Sequence, residues 1–287
     1  MIDFGRKLLI SQIYFDCMKF VVLVDNSPGG HEGLVAEHGF ALWMEVDGLK
    51  WLVDTGASDA FAQNATQLGI DIADVDYLIL SHGHSDHCGG LESFLSLNNK
   101  AQIFISSHVV GNHYYSTRRG AKRDISLNHS LIDANAHRFT MVDEGIGISN
   151  SVKIISSFAN THSMPLANGT LLANDVLDDF SHEIAIAVTT SNGVVVISPC
   201  SHNGIINTLE ACSHLGEISH YIGGTHLVDN FESEEQLLLL ASNLQQRYPN
   251  LTLLSGHCTG ESAKSAFLSA LKHKYIDFHT GFSLFID

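Results

Sequence analysis

The chain has 287 residues, 45% of them hydrophobic, and a formal net charge of −16 from 31 acidic against 15 basic side chains. That length, with a mean hydropathy of +0.10, supplies a sizeable core for one large α/β domain or two small ones. The acidic balance argues against nucleic acid and anionic membrane as partners, but leaves room for a local cationic centre that attracts a small anionic substrate.

The five cysteines, Cys17, Cys88, Cys200, Cys212 and Cys258, are odd in number, widely spaced and without a CxxC. This argues against a disulfide scaffold and for a reducing compartment, with a cytoplasmic setting expected. The 18 histidines outnumber lysine plus arginine. No apolar run approaches the roughly 18 to 20 residues that span a bilayer. Residues 1–17, "MIDFGRKLLISQIYFDC", lack a signal-peptide pattern. They are expected as an N-terminal extension, either poorly ordered or docked as a small segment, ahead of a single domain over 18–287.

In chain order, residues 19–25 read as a first strand. Residues 40–56 hold two apolar runs around Asp47-Gly48, a hairpin signal. A helix is expected over 58–70 with Ser58 as its N-cap. "YLILS" at 77–81 reads as a short buried strand, 89–97 as a helix and 101–106 as a strand. The stretch 111–180 is richer in Ser, Asn and Asp and reads as a central insertion with long loops, a candidate lid. A second hairpin joins "EIAIAVTT" to "GVVVISPC". Helices near 204–213, 232–247 and 261–273 alternate with apolar runs at 218–226 and 251–256. Hairpins at both ends with helices between imply mixed sheets with helices packed outside, an α/β layered class.

Within "LILSHGHSDHCGGL" at 78–91, three histidines, an aspartate and a cysteine follow an apolar run. His82 and His84 share one side of an extended chain. Asp86 and His87 come after a turn and can reach back. Gly89 and Gly90 permit close approach of the chain behind. Imidazole with carboxylate suits zinc, with iron or manganese as alternatives, and four ligands in one short segment can feed two adjacent ions. The bland alternative, a solvated polar loop, fits a lone histidine better than it fits HxHxDH after a strand.

"SHGHSDHCGGL" resembles the signature of the metallo-β-lactamase fold superfamily, and the likeness extends over most of the chain from Met18. "LVDTG", "CSHNGIINTL", "IGGTHL" and "GHCTG" are similar to a branch of 7,8-dihydropterin-6-methyl-4-(β-D-ribofuranosyl)aminobenzene 5′-phosphate synthase-like proteins. The resemblance implies an αββα sandwich of two mixed β-sheets with a two-metal site at one edge. It implies that His82, His84 and His202 bind one ion and Asp86, His87 and His257 the other. Asp54 would orient a ligand histidine from behind. The bridging aspartate of many superfamily hydrolases is missing after "GVVVIS", where Pro199-Cys200-Ser201-His202 stands instead. Cys200 is either a thiolate near the metals or, the preferred reading, a small buried residue.

His226 is a candidate proton donor or substrate contact, with a structural role as the alternative. His182 is expected on the structural or substrate side. "STRRGAKRD" gathers Arg118, Arg119, Lys122 and Arg123, which bind a substrate phosphate or carboxylate unless the run is a solvated loop. There is no Walker A, GxGxxG or GxSxG pattern. The expected protein is a metal-dependent hydrolase acting on a phosphoester, lactone or similar small anion, with Asp86 able to accept a proton. A pterin-related transferase, an iron redox protein and a non-catalytic metal or ligand sensor are the alternatives. A homo-oligomer is left open.

Overall fold

The computed structural model describes residues 17–287, so the expected extension lies outside it except for Cys17. One seven-stranded sheet runs in the order Ser283–Ile286, Met18–Val24, Ala41–Val46, Leu49–Val53, Tyr77–Ile79, Gln102–Ser106, Phe139–Val142. The other runs Tyr275–Asp277, Thr252–Ser255, Ile218–Gly223, Gly193–Ile197, Ala185–Thr190, Val152–Ile155, Ile146–Gly147. Both are mixed: hairpins pair antiparallel, whereas strands separated by helices pair parallel. The first hairpin turns at Asp47 (φ 57°) and Gly48 (φ 70°), the left-handed pair that a two-residue turn needs.

Alternation along the strands builds the layers. Phe20, Val22, Leu42, Met44, Ile186 and Ile197 point between the sheets into one cluster. Their neighbours Val21, Leu23, Ala41 and Trp43 face outward onto a second cluster with Phe61, Leu91 and Phe94. Val194, Val196, Tyr221 and Leu253 pack on a third with Leu237 and Phe267 from the helices Glu234–Arg247 and Glu261–Leu271. Three apolar interfaces make four layers, helix–sheet–sheet–helix. Phe20 is fully buried between the sheets. Phe20→Ala is expected to lower stability by about 3 to 5 kcal/mol, measured by urea unfolding of the metal-free protein.

Several local features differ from the sequence reading. The helix expected over 58–70 is Ala60–Gln67; Ser58 Oγ still accepts from Ala60 N, but from outside the Asp59 N-cap. The helix expected over 89–97 is Leu91–Leu97, and a separate helical turn, Ser85–Cys88, precedes it within the histidine segment. Two C-terminal strands, Tyr275–Asp277 and Ser283–Ile286, complete an edge of each sheet. The stretch 111–180 is not one insertion. Phe139–Val142 belongs to the first sheet, and Ile146–Gly147 and Val152–Ile155 to the second. Only its flanks form a separate small sheet, in the order Val176–Leu177, Leu171–Ala173, Tyr114–Ser116, Arg123–Asp124.

In the second sheet Gly223 pairs in register with Ser255, and Ile197 with Ile222. The loops after these strand ends therefore open at one edge, where layered folds place their sites. Among the described residues, no helix is long and apolar enough to cross a membrane.

Candidate metal centre

The segment 82–88 is clamped from behind. A Cβ on Gly89 would lie 2.3 Å from Ala57 O, and one on Gly90 would lie 2.3 Å from Thr55 O. Only glycine allows the loop after "LVDTG" to lie this close. From the front, Ser85 N donates to Ile125 O (2.7 Å) and Leu127 N to Gly83 O (2.9 Å). Each histidine is thus held by backbone on both sides.

Two groups of side chains form at this edge. His82, His84 and His202 each offer a ring nitrogen within 4.8 Å of the others, as do donor atoms of Asp86, His87 and His257. His82, His87 and His202 are at most 1% exposed and His84 3%. Among the described residues, Nε2 of His82, His84 and His202 is buried without a hydrogen-bond partner. A buried imidazole nitrogen left bare costs about 1 to 3 kcal/mol, and three such atoms aimed at one point fit a cation. The donor set of imidazole plus carboxylate suits zinc, iron or manganese alike.

The groups behind these rings set their tautomers. Asp54, fully buried, accepts from Ser81 N (2.7 Å) and from Ser81 Oγ (2.7 Å). Ser81 Oγ has then used its proton, so at 2.8 Å it accepts from His82 Nδ1. Asp54 also accepts from His87 Nδ1 at 2.6 Å. Both rings are left with Nε2 facing the centre, a carboxylate–imidazole arrangement that raises ligand basicity. His257 is held by its backbone N–H, which donates to Asp25 Oδ1 (2.6 Å), and its ring Nδ1 lies 3.1 Å from Asn26 Oδ1. His202 stacks on Phe180 with centroids 4.5 Å apart, and its backbone N–H donates to the buried Glu183 carboxylate at 2.8 Å. Asp54, Ser201, His226 and His257 all have φ between 48° and 58°. Left-handed backbone at non-glycine residues costs free energy and clusters at sites that surrounding contacts over-determine.

Burial, then the neighbouring imidazoles, holds His82, His202 and His257 well below the usual histidine range. Burial also opposes charge on His87, but Asp86 and then Asp54 outweigh it and raise that ring to about 9. Asp86 is itself held low: burial opposes its charge, but His87 and His257 overcome it. The two kinds of histidine act in opposite pH windows. An unfolded histidine titrates near 6.5, so below that pH the unfolded chain binds protons that the buried neutral rings refuse. Metal-free protein is expected to lose stability as pH falls below about 6.5, by about 1.4 kcal/mol per pH unit for each such ring. His87 contributes stability that is present below 6.5 and lost as pH rises through about 9. Melting curves of chelator-treated protein from pH 5 to 9.5 check both limbs.

The remaining expected residues fall in different places. Cys200 is 3% exposed, and its Sγ lies 3.2 Å from His87 Nε2 and 3.4 Å from Cys258 Sγ. It is both buried and beside the imidazoles. His226 Nε2 lies 2.8 Å from Arg118 Nη2. Arg118, Arg119 and Arg123 line a cleft of about 350 Å³ whose floor includes His84, Asp86 and His202. Lys122 is not among its lining residues; it pairs with Asp175 and lies 3.7 Å over the Tyr115 ring. His182 uses both nitrogens as a brace, accepting from Gly83 N (3.1 Å) and meeting Asp178 Oδ2 at 3.0 Å. Sequence reasoning missed His38, whose Nε2 is 3.3 Å from Asp86 Oδ2 and whose ring stacks on His257. It also missed Asn26 and Asn168, which carry no periodic or motif signal, and gave Cys258, within "GHCTG", no role at the site.

Two mixed sheets between helix layers, with a histidine-rich edge, define the metallo-β-lactamase fold. Residues 35–164 match the metallo-beta-lactamase superfamily model, and the chain has the metallo-β-lactamase fold. A 7,8-dihydropterin-6-methyl-4-(beta-D-ribofuranosyl)-aminobenzene-5'-phosphate synthase of Methanocaldococcus jannaschii is 25% identical over 285 residues, spanning 93% of this chain and 96% of its own. The crystal structure of Tm1679, a metal-dependent hydrolase of the beta-lactamase superfamily, aligns with a TM-score of 0.78 at 28% identity, covering 93% of this chain and 98% of that one. A diphosphatase from the PhnP family shares the fold, with a TM-score of 0.52 at 14% identity over 94% of this chain and 97% of its own.

Proposed function

We propose that the protein is a metal-dependent hydrolase with a two-cation centre, acting on a small anionic substrate such as a phosphoester or lactone. His82, His84 and His202 would hold one cation, and Asp86, His87 and His257 the other. The observation that carries this reading is the trio of buried, unpartnered Nε2 atoms beneath a cleft walled by arginines. Divalent cations in such a site lower the pKa of water and polarise the bond under attack. The chain supplies the rest. Asp54, through Ser81 for His82 and directly for His87, takes the Nδ1 side of two ligands and turns their Nε2 toward the centre. Arg118, Arg119 and Arg123 draw an anion into a protein whose overall charge is negative. Asp86, held ionised by His87 and His257, lies in the cleft as a carboxylate ligand, and His226 lines the same cleft.

Protein purified without added metal, assayed for metal content and then on phosphodiesters and lactones, tests the reading. Bound zinc, iron or manganese with chelator-sensitive turnover is expected. Metal-loaded protein that turns over no phosphoester or lactone would count against it. A second reading, a pterin-related transferase, draws on the similarity to the Methanocaldococcus jannaschii synthase along nearly the full length of both chains. A saturable change in pterin fluorescence on titration with the protein favours it.

A further inference from the structure

Asn168 lies buried in the turn Leu166–Thr170, beside the small sheet that borders the cleft. Its own bonds settle which way the amide faces. Nδ2 donates to His202 O at 2.8 Å. Oδ1 is therefore the atom 3.2 Å from His202 Nδ1 and 2.9 Å from His226 Nδ1. An amide oxygen only accepts, so both imidazoles carry their proton on Nδ1 and present Nε2 as a lone pair. The His202 Nε2 has no partner, and the His226 Nε2 meets Arg118 Nη2 at 2.8 Å. The two rings lie with centroids 4.3 Å apart.

Arg118 is therefore latched one imidazole away from His202. Its Nε is buried without a partner, and its guanidinium lies 5.9 Å from the Phe231 ring centroid. A guanidinium with unused N–H groups, fixed at the wall of a cleft that Arg119 and Arg123 share, matches a tetrahedral oxyanion that accepts two bonds at once. The ester group of a lactone, the bond under attack, is not such an oxyanion.

We propose that Asn168 is a positioning residue that locks His202 and His226 in one tautomer. Through His226 it thereby holds Arg118 as the recognition group for the phosphoryl oxygens of a phosphoester. This rests on the hydrolase reading above and chooses phosphoesters over lactones within it.

Nitrogen-15 NMR of the histidine side chains in the metal-free full chain tests the lock directly. His202 and His226 are expected as neutral Nδ1–H tautomers. Asn168→Ala releases one or both to the other tautomer, whereas Asn168→Asp, which keeps an acceptor, preserves them. Nε2–H rings in the unsubstituted protein, or tautomers unmoved by Asn168→Ala, overturn the proposal. Should Asn168→Ala fail to fold, the unsubstituted spectrum and Asn168→Asp still decide. Calorimetry with inorganic phosphate on metal-loaded protein tests the clamp. Arg118→Ala is expected to weaken phosphate about 10- to 100-fold, and Arg118→Lys by less. Arg118→Ala also raises KM for bis(p-nitrophenyl) phosphate by a larger factor than that for a lactone. Equal phosphate affinity with and without Arg118, or equal effects on both substrates, overturns it. Failure of the hydrolase reading would appear separately, as absent turnover in the unsubstituted enzyme, with the tautomer and phosphate measurements still readable.

Discussion

Asp54→Ala is expected to lower stability by about 3 to 5 kcal/mol and to weaken metal binding by about 10- to 100-fold. The carboxylate is fully buried and accepts three hydrogen bonds, from Ser81 N, Ser81 Oγ and His87 Nδ1. Truncation leaves all three donors unsatisfied in a site that water cannot reach, so each contributes its desolvation cost. The charge on His87 also loses one of the two carboxylates that raise its pKa. Ser81 Oγ, without its acceptor, can turn its proton toward His82 Nδ1, which moves the His82 proton to the nitrogen that must stay bare. Asp54→Asn should be milder in stability, because shape and one acceptor remain, yet it still loses metal affinity. Denaturant titration of the metal-free variants, followed by metal-competition titration, separates the two effects.

His84→Ala makes the opposite pattern. It is expected to lower activity by at least about 100-fold and to remove one metal equivalent, while the metal-free protein still unfolds cooperatively. His84 Nε2 makes no hydrogen bond in the fold, and its nearest carboxylate oxygen, on Asp178, is 3.8 Å away. Removing the ring therefore breaks no paired polar contact of Nε2 and relieves one buried bare nitrogen. Elemental analysis beside a melting curve reads both halves of the prediction. Unchanged metal content and activity would mean that the centre lies elsewhere.

These two residues also mark how far the sequence carries. Asp54 and the 82–87 segment stand at the ends of short apolar runs, so their strand-end placement is readable from pattern alone. The approach of His202 and His257 to that segment cannot be read from spacing, because the rings come from the other sheet, more than a hundred residues on. Their place rests on Glu183, Asp25 and Asn26, whose bonds to the loops are set only when the sheets close. Asn168 lies in a polar stretch with no periodicity to distinguish it from a surface loop. The stretch 111–180 reads as one insertion because its strands are short and polar, although Phe139–Val142 and Val152–Ile155 pair within the main sheets. Lys122 shares the sequence character of Arg118 and Arg119, and only the turn of the chain sends it outward to Asp175.

The most direct measurement is an anomalous difference map at the zinc edge, from crystals of the full chain grown with zinc. Two peaks are expected, one in coordination distance of His82, His84 and His202 Nε2 and one beside Asp86, His87 and His257. Ordered metal elsewhere, with the rings of His202 and His257 turned from both positions, would contradict the account.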